Sequence, residues 1–267
     1  MPVAMTVAGS DSGAGAGIQA DLLTFAALGV FGTTAITSLT AQNPKGVSSV
    51  FAVAPEFVVA QLLQLCAYFD IRAMKTGMLY DAGIIHVVCD FMRRHREIKA
   101  VVDPVMVATS GAMLLRAEAA EAVEKELLPL ATLVTPNLDE AQVILDRKIA
   151  TTDEMRDAAR EISSRAKTAV LLKGGHLADE ENVTDILFTK DGLTLEFTDP
   201  RIPKVNTHGS GCTLSAAIAA HLAKGESVEE SVAEGRRYLL AGMKNPLSVS
   251  GERFIAHLAT DEKIFPQ

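Results

Sequence analysis

The stretch VAMTVAGSDSGAGAGIQADLLTFAAL, residues 3–28, joins a short apolar run, a glycine-rich turn and a segment with helical periodicity. Residues 3–8 are typical of a buried strand, and the apolar spacing from about Ile18 to Leu28 predicts a helix. A strand that passes through a short turn into a helix is the first half of a βαβ unit. This stretch therefore predicts an α/β protein with a parallel sheet.

The same alternation continues along almost the whole chain. Further strands are predicted at 33–39, 47–53, 73–76, 100–103, 169–173, 183–188 and 193–197. Helices are predicted at 56–69, 82–95, 117–128, 138–145, 153–166, 209–223 and 228–243, with Thr152 or Asp153 as the N-cap of the 153–166 helix. No Pro/Ser-rich linker or internal repeat marks a second domain. We therefore expect residues 1–267 to form one doubly wound domain, with helices on both faces of a mostly parallel sheet.

The composition restricts the function classes. Lys and Arg number 25 against 33 Asp and Glu, a formal net charge of −8, and no Lys/Arg-rich run occurs. Such a charge is poorly suited to binding nucleic acid through its phosphates. The longest apolar tracts fall short of the ~20 residues that span a bilayer, and no basic region precedes the apolar N-terminal stretch. The three cysteines are far apart in sequence, which fits a reducing compartment. We expect a cytoplasmic protein that acts on a small molecule, without a nucleic-acid or membrane partner.

Ligands of doubly wound sheets bind beyond the carboxyl ends of the strands. Polar and glycine residues follow the predicted strands at 9–17, 42–43, 75–78, 103–105, 135–140, 173–176 and 206–213. Segment 9–17 contains four glycines, which allow close approach of the backbone to a ligand, although a plain tight turn is the alternative. It matches neither the P-loop nor the dinucleotide pattern. Asp21 is predicted in the first turn of the next helix, either as a helix-start charge or as a contact to a ligand hydroxyl or amine.

Segment THGSGCT, residues 207–213, precedes a long apolar helix. Gly209 and Gly211 leave backbone N–H groups at the helix N-terminus, where the dipole favours an anion such as a transferring phosphoryl group. Cys212 is predicted at the same N-terminus, a position that lowers the pKa of a thiol. An inert buried cysteine is the alternative.

Two further segments carry polar residues suited to a nucleotide and its metal ion. Asn137 and Glu140 stand three residues apart at a helix start, where an amide and a carboxylate could hold Mg2+ through water, and an N-cap with a capping-box glutamate is the alternative. Lys173 ends a strand beside two glycines and could meet nucleotide phosphates, the alternative being an ordinary strand-end lysine.

Taken together, these segments resemble the hydroxymethylpyrimidine/phosphomethylpyrimidine kinases of the ribokinase-like superfamily. The matching motifs, in chain order, are AGSD (8–11), GAGIQADL (15–22), TAQN (40–43), KTGML (75–79), VDPVM (102–106), TPN (135–137), LKGGH (172–176) and NTHGSGCTLS (206–215). The resemblance runs from residue 3 to about residue 243. It implies a ribokinase-like three-layer α/β fold.

The resemblance also implies an activity and a set of site residues. The activity is ATP-dependent phosphorylation of 4-amino-5-hydroxymethyl-2-methylpyrimidine to its monophosphate and then to the pyrophosphate, in thiamine biosynthesis. The implied pyrimidine contacts are Gly9, Asp21, Gln42, Met78 and Val105, with Asp21 and Gln42 reading the ring nitrogens and the amino group. Cys212 would be the general base beside an anion hole formed by Gly209, Ser210 and Gly211. Lys173, Asn137 and Thr207 would contact the nucleotide, and Glu140, Asn137 and Asp103 would hold Mg2+. A homodimer is typical of the family.

The chain departs from the family at its C-terminal end. The family's glycine-rich G-x-G-x-G-P segment is absent, and residues 245–252 read NPLSVSGE instead. Nucleotide preference therefore stays open. Two other functions stay open as well: a pyridoxal or pyridoxine kinase of the same superfamily, and a catalytically silent ligand-binding protein with this fold.

Overall fold

The computed structural model describes residues 1–106, 117–177 and 181–258. In this part of the chain, nine strands form one sheet in the order β3-β2-β1-β4-β5-β6-β7-β8-β9. The strands are Val3–Asp11 (β1), Phe31–Asn43 (β2), Gly46–Ala52 (β3), Ile71–Thr76 (β4), Lys99–Val102 (β5), Leu133–Val134 (β6), Ala169–Leu172 (β7), Asn182–Phe188 (β8) and Thr194–Pro200 (β9). Within this order, the six neighbouring strands β2, β1, β4, β5, β6 and β7 pair in parallel. Strand β3 pairs antiparallel with β2 at one edge, and β8 and β9 continue the sheet antiparallel at the other. The predicted mostly parallel sheet is confirmed.

Helices cover both faces of the sheet. They are Gly17–Ala27 (α1), Pro55–Cys66 (α2), Ala82–Arg94 (α3), Ala117–Ala122 (α4), Leu138–Leu145 (α5), Thr152–Ala166 (α6), Ser210–Lys224 (α7) and Val228–Lys244 (α8), and α4 continues as a π-helical and then a 3-10 turn to Leu130. Side chains of β5 alternate between the two cores, since Ala100 and Val102 belong to the core under α2 to α6 and Val101 to the core under α1, α7 and α8. This alternation is why three consecutive residues of the strand, Ala100 to Val102, are apolar.

The structure differs from the sequence-based expectation at four places. Strand β6 was not predicted, because two residues show no periodicity. The antiparallel hairpin of Leu247–Val249 (β10) and Glu252–Phe254 (β11) was also not predicted. The N-cap of α6 is Thr151 rather than Thr152 or Asp153, because the Thr151 side chain accepts a hydrogen bond from the backbone of Glu154. Asp21 lies in the second turn of α1, because the helix already begins at Gly17.

The fold brings the glycine-rich and polar segments to one edge of the sheet. Parallel strands end on the same side, so the residues that follow β1, β4, β5, β6 and β7 are neighbours. Helix α7 packs across β4 and β5, and its first turn lies at this edge. Within the described residues, none of the helices has the length and apolar character that a membrane span requires.

Candidate active site

The first turn of α7 forms the centre of the site. Its N-cap is Gly209, whose φ of 83° is in the left-handed region and whose Cα faces the carbonyl oxygen of Gly15 so closely that a Cβ would overlap it. Ser210 donates its N–H to the carbonyl of Thr207, an exposed residue. Among the described residues, the N–H groups of Gly211 and Cys212 have no protein acceptor. The free N–H groups at this turn are therefore those of Gly211 and Cys212, whereas the Ser210 N–H, expected in the anion hole, already donates to Thr207.

An ion pair between Lys173 and Asp103 lies directly beside this turn. Lys173 Nζ is 3.0 Å from Asp103 Oδ1, and a Cβ on Gly211 would lie 3.3 Å from the same Nζ. Thr135 donates its hydroxyl to Asp103, which is 4% exposed. Burial alone would lower the pKa of Lys173, but the carboxylates of Asp103 and Glu140 outweigh it and raise the pKa. Lys173 is therefore a fixed, permanently charged cation at the helix N-terminus, rather than an ordinary strand-end lysine.

Asn137 and Glu140 form a capping box at the start of α5. The Asn137 side chain accepts from the Glu140 N–H at 2.9 Å, and a Glu140 carboxylate oxygen accepts from the Asn137 N–H at 2.8 Å. The alternative prediction for this motif, an N-cap with a capping-box glutamate, is therefore confirmed. The same carboxylate is buried and interacts electrostatically with Lys173 and Asp103, and its burial raises the pKa of Glu140 to about 7. The Glu140 carboxylate therefore caps α5 and at the same time belongs to the charged group around Lys173.

The oxygen ligands that Mg2+ prefers are present at this position, but the protein supplies only part of a coordination shell. No group of three His, Cys, Asp or Glu side chains in the described chain is arranged to hold a metal ion. Mg2+ typically takes one or two carboxylates and completes its shell with waters and phosphate oxygens. Asp103 and Glu140 fit that requirement when a nucleotide supplies the remaining oxygens.

Cys212 lies in the first turn of α7, but its acidity differs from the expectation. The helix N-terminus was expected to lower the pKa of this thiol, whereas burial raises it, and the carboxylates of Asp21 and Asp103 act in the same direction. The ammonium group of Lys75 and a hydrogen bond from the Gly17 N–H oppose this shift without cancelling it. The thiol is therefore the resting form, and a thiolate at this position depends on the positive charge of Lys75.

Lys75 belongs to the site as well, although no role for it was predicted from the sequence. It is fully buried, and its Nζ lies 3.0 Å from both carboxylate oxygens of Asp21, one of which also accepts from the Thr6 hydroxyl at 2.6 Å. The signal available in the sequence was a lysine inside an apolar strand, immediately before Thr76 and Gly77. Asp21 is 0% exposed and both its oxygens are occupied, so its geometry favours holding Lys75 over reading a pyrimidine directly.

Among the residues expected to contact the pyrimidine, Gly9 and Gln42 lie near the ends of strands β1 and β2, and Met78 and Val105 lie in loops. Gly9 and Met78 are adjacent, because a Cβ on Gly9 would lie 2.8 Å from Met78 Cε. Val105 follows Asp103 in the loop after β5, and Gln42 lies at the end of β2. Met78 and Val105 are both half-buried. Gln42 is half-buried as well, whereas Gly9 itself is buried.

A histidine links Gln42 to the glycine-rich loop. Nε2 of His208 is 3.0 Å from Asp11 Oδ2 and 3.2 Å from Nε2 of Gln42. Asp11 also accepts from the N–H groups of Gly13 and Ala16, at 2.8 and 2.9 Å. Burial by itself would raise the pKa of the Asp11 carboxyl. The hydrogen bonds from His208 and from these two amides outweigh burial, so the pKa is lowered. Asp11 was not expected to have a role, and it ties the loop to the start of α7.

A helix N-terminus, a fixed lysine, two carboxylates and a thiol thus meet at the carboxyl edge of an α/β sheet. These groups can bind a phosphate chain, neutralise the charge that develops during phosphoryl transfer and accept a proton. The fold and the site define a small-molecule kinase of the ribokinase-like type.

The chain belongs to the phosphomethylpyrimidine kinase family, whose sequence model matches residues 11–256. The hydroxymethylpyrimidine/phosphomethylpyrimidine kinase of Rhizobium meliloti is 50% identical over 242 residues, which cover 90% of each chain. The thiamine biosynthesis bifunctional protein ThiED of Geobacter sulfurreducens is 45% identical over 241 residues, 90% of this chain and 49% of that protein. Among solved structures, an ADP complex of Bacillus subtilis pyridoxal kinase superposes with a TM-score of 0.88 at 35% identity, over 97% of this chain and 98% of that chain.

Proposed function

We propose that this kinase phosphorylates 4-amino-5-hydroxymethyl-2-methylpyrimidine with ATP and then phosphorylates the monophosphate to the pyrophosphate, as a step of thiamine biosynthesis. The observation that carries this proposal is the convergence of Lys173, Asp103 and Cys212 on the first turn of α7. The names of the relatives from Rhizobium and Geobacter support the pyrimidine substrate and the pathway. ADP in the related Bacillus structure supports ATP as the phosphoryl donor.

In the first transfer the substrate hydroxyl attacks the γ-phosphorus of ATP. The O–H proton passes to the Cys212 thiolate, which becomes a thiol, a new P–O bond forms, and the bond to the β,γ-bridging oxygen breaks so that ADP leaves. The N–H groups of Gly211 and Cys212 and the Lys173 ammonium stabilise the negative charge on the equatorial oxygens. Lys75 assists by favouring the thiolate form of Cys212.

The second transfer differs at the nucleophile. The attacking group is a phosphate oxygen of the monophosphate, which is largely ionised at neutral pH because its second pKa is about 6. No proton has to leave, so Cys212 is not required as a base. The positive groups around α7 are needed in both transfers.

Glu140 and Asp103 would hold Mg2+ together with phosphate oxygens, and the ion would neutralise charge on the β- and γ-phosphates. Asn137 would keep the Glu140 backbone and carboxylate in place through the capping box. Lys173 balances the two carboxylates, so they can lie close together before the nucleotide binds. Thr207 would contact the nucleotide from the exposed loop before α7.

Gly9, Gln42, Met78 and Val105 would form the pyrimidine pocket, with Gln42 reading the ring nitrogens and amino group. Asp21 would act by fixing Lys75, whose charge favours the Cys212 thiolate, rather than by contact with the pyrimidine, because Asp21 and Lys75 are both fully buried. The nine-stranded central sheet is in keeping with a single kinase domain. The three cysteines are free thiols, and a thiol base suits a reducing cytoplasm.

We also propose that the kinase is a homodimer. Strand β3 forms one edge of the sheet, and exposed apolar side chains lie on the β2–β3 hairpin, among them Leu39, Val47 and Phe51, the last 70% exposed. An apolar edge strand is a natural pairing surface for a second copy of the chain. Light scattering should give twice the chain mass of 28.4 kDa, and Phe51→Glu should shift the protein toward the monomer.

The experiment that tests the activity is a steady-state assay with Mg·ATP, comparing hydroxymethylpyrimidine with pyridoxine. Mono- and diphosphorylated products are separated by chromatography and identified by mass. We expect the pyrimidine pyrophosphate to accumulate. Pyridoxine phosphate alone would favour the pyridoxal kinase function, which the structural similarity to the Bacillus enzyme supports as a second candidate. Absence of turnover with both substrates would favour a binding protein.

A further inference from the structure

The C-terminal segment 252–257 forms hydrogen bonds with the loop before α7 and with helix α8. The carbonyl of Arg253 accepts from the Asn206 N–H at 2.9 Å, and Ala256 donates its N–H to the carbonyl of Gly242 at 3.2 Å. The Tyr238 hydroxyl donates to the carbonyl of His257. The family match ends at residue 256, so the last of these contacts lies just outside it.

The side chain of His257 reaches the first turn of α7. Its Nε2 lies 2.9 Å from the Thr213 hydroxyl, and that hydroxyl lies 2.9 Å from the carbonyl of Gly209, the N-cap residue. The Thr213 N–H donates to the same carbonyl at 2.8 Å. The Gly209 carbonyl therefore accepts two hydrogen bonds from Thr213, one from its hydroxyl and one from its backbone N–H.

The direction of these hydrogen bonds follows from the inventory of donors. The Gly209 carbonyl can only accept, so the single hydroxyl hydrogen of Thr213 points to it. The contact with His257 is then satisfied only if the ring donates its Nε2–H to the Thr213 oxygen. Burial lowers the pKa of His257, so the ring is neutral at pH 7 and has one N–H, which the tautomer protonated at Nε2 directs to the Thr213 oxygen.

We propose that His257 is a positioning residue for phosphoryl transfer: through Thr213 it fixes the Gly209 carbonyl and thereby the directions of the Gly211 and Cys212 N–H groups. The inference rests on the proposed role of the α7 N-terminus in binding the transferring group. Gly209 turns the chain in a left-handed conformation against the loop after β1, so a small rotation there re-aims every N–H that follows. Donors that are fixed before the reaction stabilise a transition state better than donors that must be reorganised.

The test uses four variants of the full chain and one matched control. His257→Leu removes the donor at similar volume, and His257→Gln keeps an N–H that can reach the same oxygen. Thr213→Val removes the hydroxyl without changing the shape, and the double variant His257→Leu/Thr213→Val measures coupling. The control is His221→Gln, a buried histidine at the opposite end of α7 that pairs with Glu226.

Three readouts separate positioning from stability: kcat and KM for each phosphorylation, the melting temperature, and the affinity for Mg·ADP with and without aluminium fluoride as a mimic of the transferring group. We expect His257→Leu and Thr213→Val each to lower kcat roughly tenfold for both transfers, with little change in KM. The double variant should lose no more than either single variant, and His257→Gln should recover most of the activity. The factor by which aluminium fluoride increases the affinity for Mg·ADP should decrease in each variant by about as much as kcat does.

Additive losses in the double variant, or kcat values equal to that of the His221→Gln control, would overturn the inference. So would losses that follow the melting temperature instead of the hydrogen bond. If His257→Leu does not fold, Thr213→Val and His257→Gln still give the comparison. A wild-type enzyme that turns over but shows no tightening by aluminium fluoride would contradict the proposed role of α7 itself, which distinguishes the two failures.

Discussion

Replacement of Cys212 by alanine should separate the two phosphorylations. The first transfer removes a proton from a hydroxymethyl group, whereas the second begins from an ionised phosphate oxygen. A single residue that acts only as a base should therefore matter for one of two reactions that share the same site. Cys212→Ser provides a second variant, because it keeps the size of the side chain and removes the acidity of the thiol.

The magnitude follows from the surroundings of the thiol. A positioned general base contributes on the order of 10²–10⁴-fold, and we expect Cys212→Ala to reduce the first transfer by that factor and the second by less than about threefold. Burial raises the pKa of Cys212, so at pH 7 most enzyme molecules carry the protonated form. The wild-type rate of the first transfer should therefore rise with pH, about tenfold per unit below this pKa. The alanine variant should lose that rise.

The assay is single-turnover quenched flow with Mg·ATP, first on the hydroxymethylpyrimidine and then on its monophosphate, between pH 6 and pH 9. Removing one partly buried sulfur atom should lower the free energy of unfolding by about 1 kcal/mol, so the melting temperature serves as the control for folding. Equal losses in the two transfers would refute the assignment of Cys212 as the base. Survival of the pH dependence in Cys212→Ala would refute it independently.

Other positions allow equally direct tests. Lys75→Met leaves the buried carboxylate of Asp21 without its cation, so the free energy of unfolding by urea should fall by about 3–5 kcal/mol, and addition of Asp21→Asn should recover part of the loss. Gly209→Ala should lower kcat at least about tenfold because its Cβ would overlap a backbone oxygen, whereas Gly192→Ala, at the similar φ of 84° but in open space, should cost only about 1–2 kcal/mol and leave kcat unchanged. Burial raises the pKa of Glu140 to about 7, above its value in the unfolded chain, so the folded state binds the extra proton and stability should fall as the pH rises from about 4.5 to 7. Between pH 5 and pH 8 the free energy of unfolding by urea should fall by on the order of 1–3 kcal/mol in the wild type, and Glu140→Gln should abolish this fall.

Each of these tests has an outcome that contradicts it. Additive losses from Lys75→Met and Asp21→Asn would show that the pair is not coupled. Similar kcat values for Gly209→Ala and Gly192→Ala would show that the contact with the glycine-rich loop does not matter for catalysis. An unchanged pH dependence in Glu140→Gln would assign the titration to another group.

Much of the fold could be predicted from local patterns. Helix α5 was predicted with its observed bounds, Leu138–Leu145, because its apolar spacing and its N-cap signal agree. Strand β6 was not predicted, because its pairing with β5 and β7 defines it and no periodicity of its own does. The β10–β11 hairpin falls where the chain departs from the family pattern, so no resemblance indicated it.

The candidate site was predicted as a set of segments but not as a set of interactions. Lys173 and the glycines before α7 were recognised because glycine patterns and strand ends are local features. The pKa of Cys212 was predicted in the wrong direction, because the helix N-terminus is visible in the sequence and the burial of the thiol is not. Asp21 was expected to face a ligand, and its pairing with Lys75 depends on the contact between α1 and β4.

The sequence by itself determined the class of fold through its periodicity, and through its short motifs the family and the edge of the sheet where the candidate site lies. The tertiary structure alone decided which charges are paired and which groups are buried. Asp11 meets His208 across 197 residues, and Thr213 meets His257 across 44 residues. The free energy of a charge in a protein is the sum of its desolvation and its interactions with all neighbours, and those neighbours come from elements that only folding brings together.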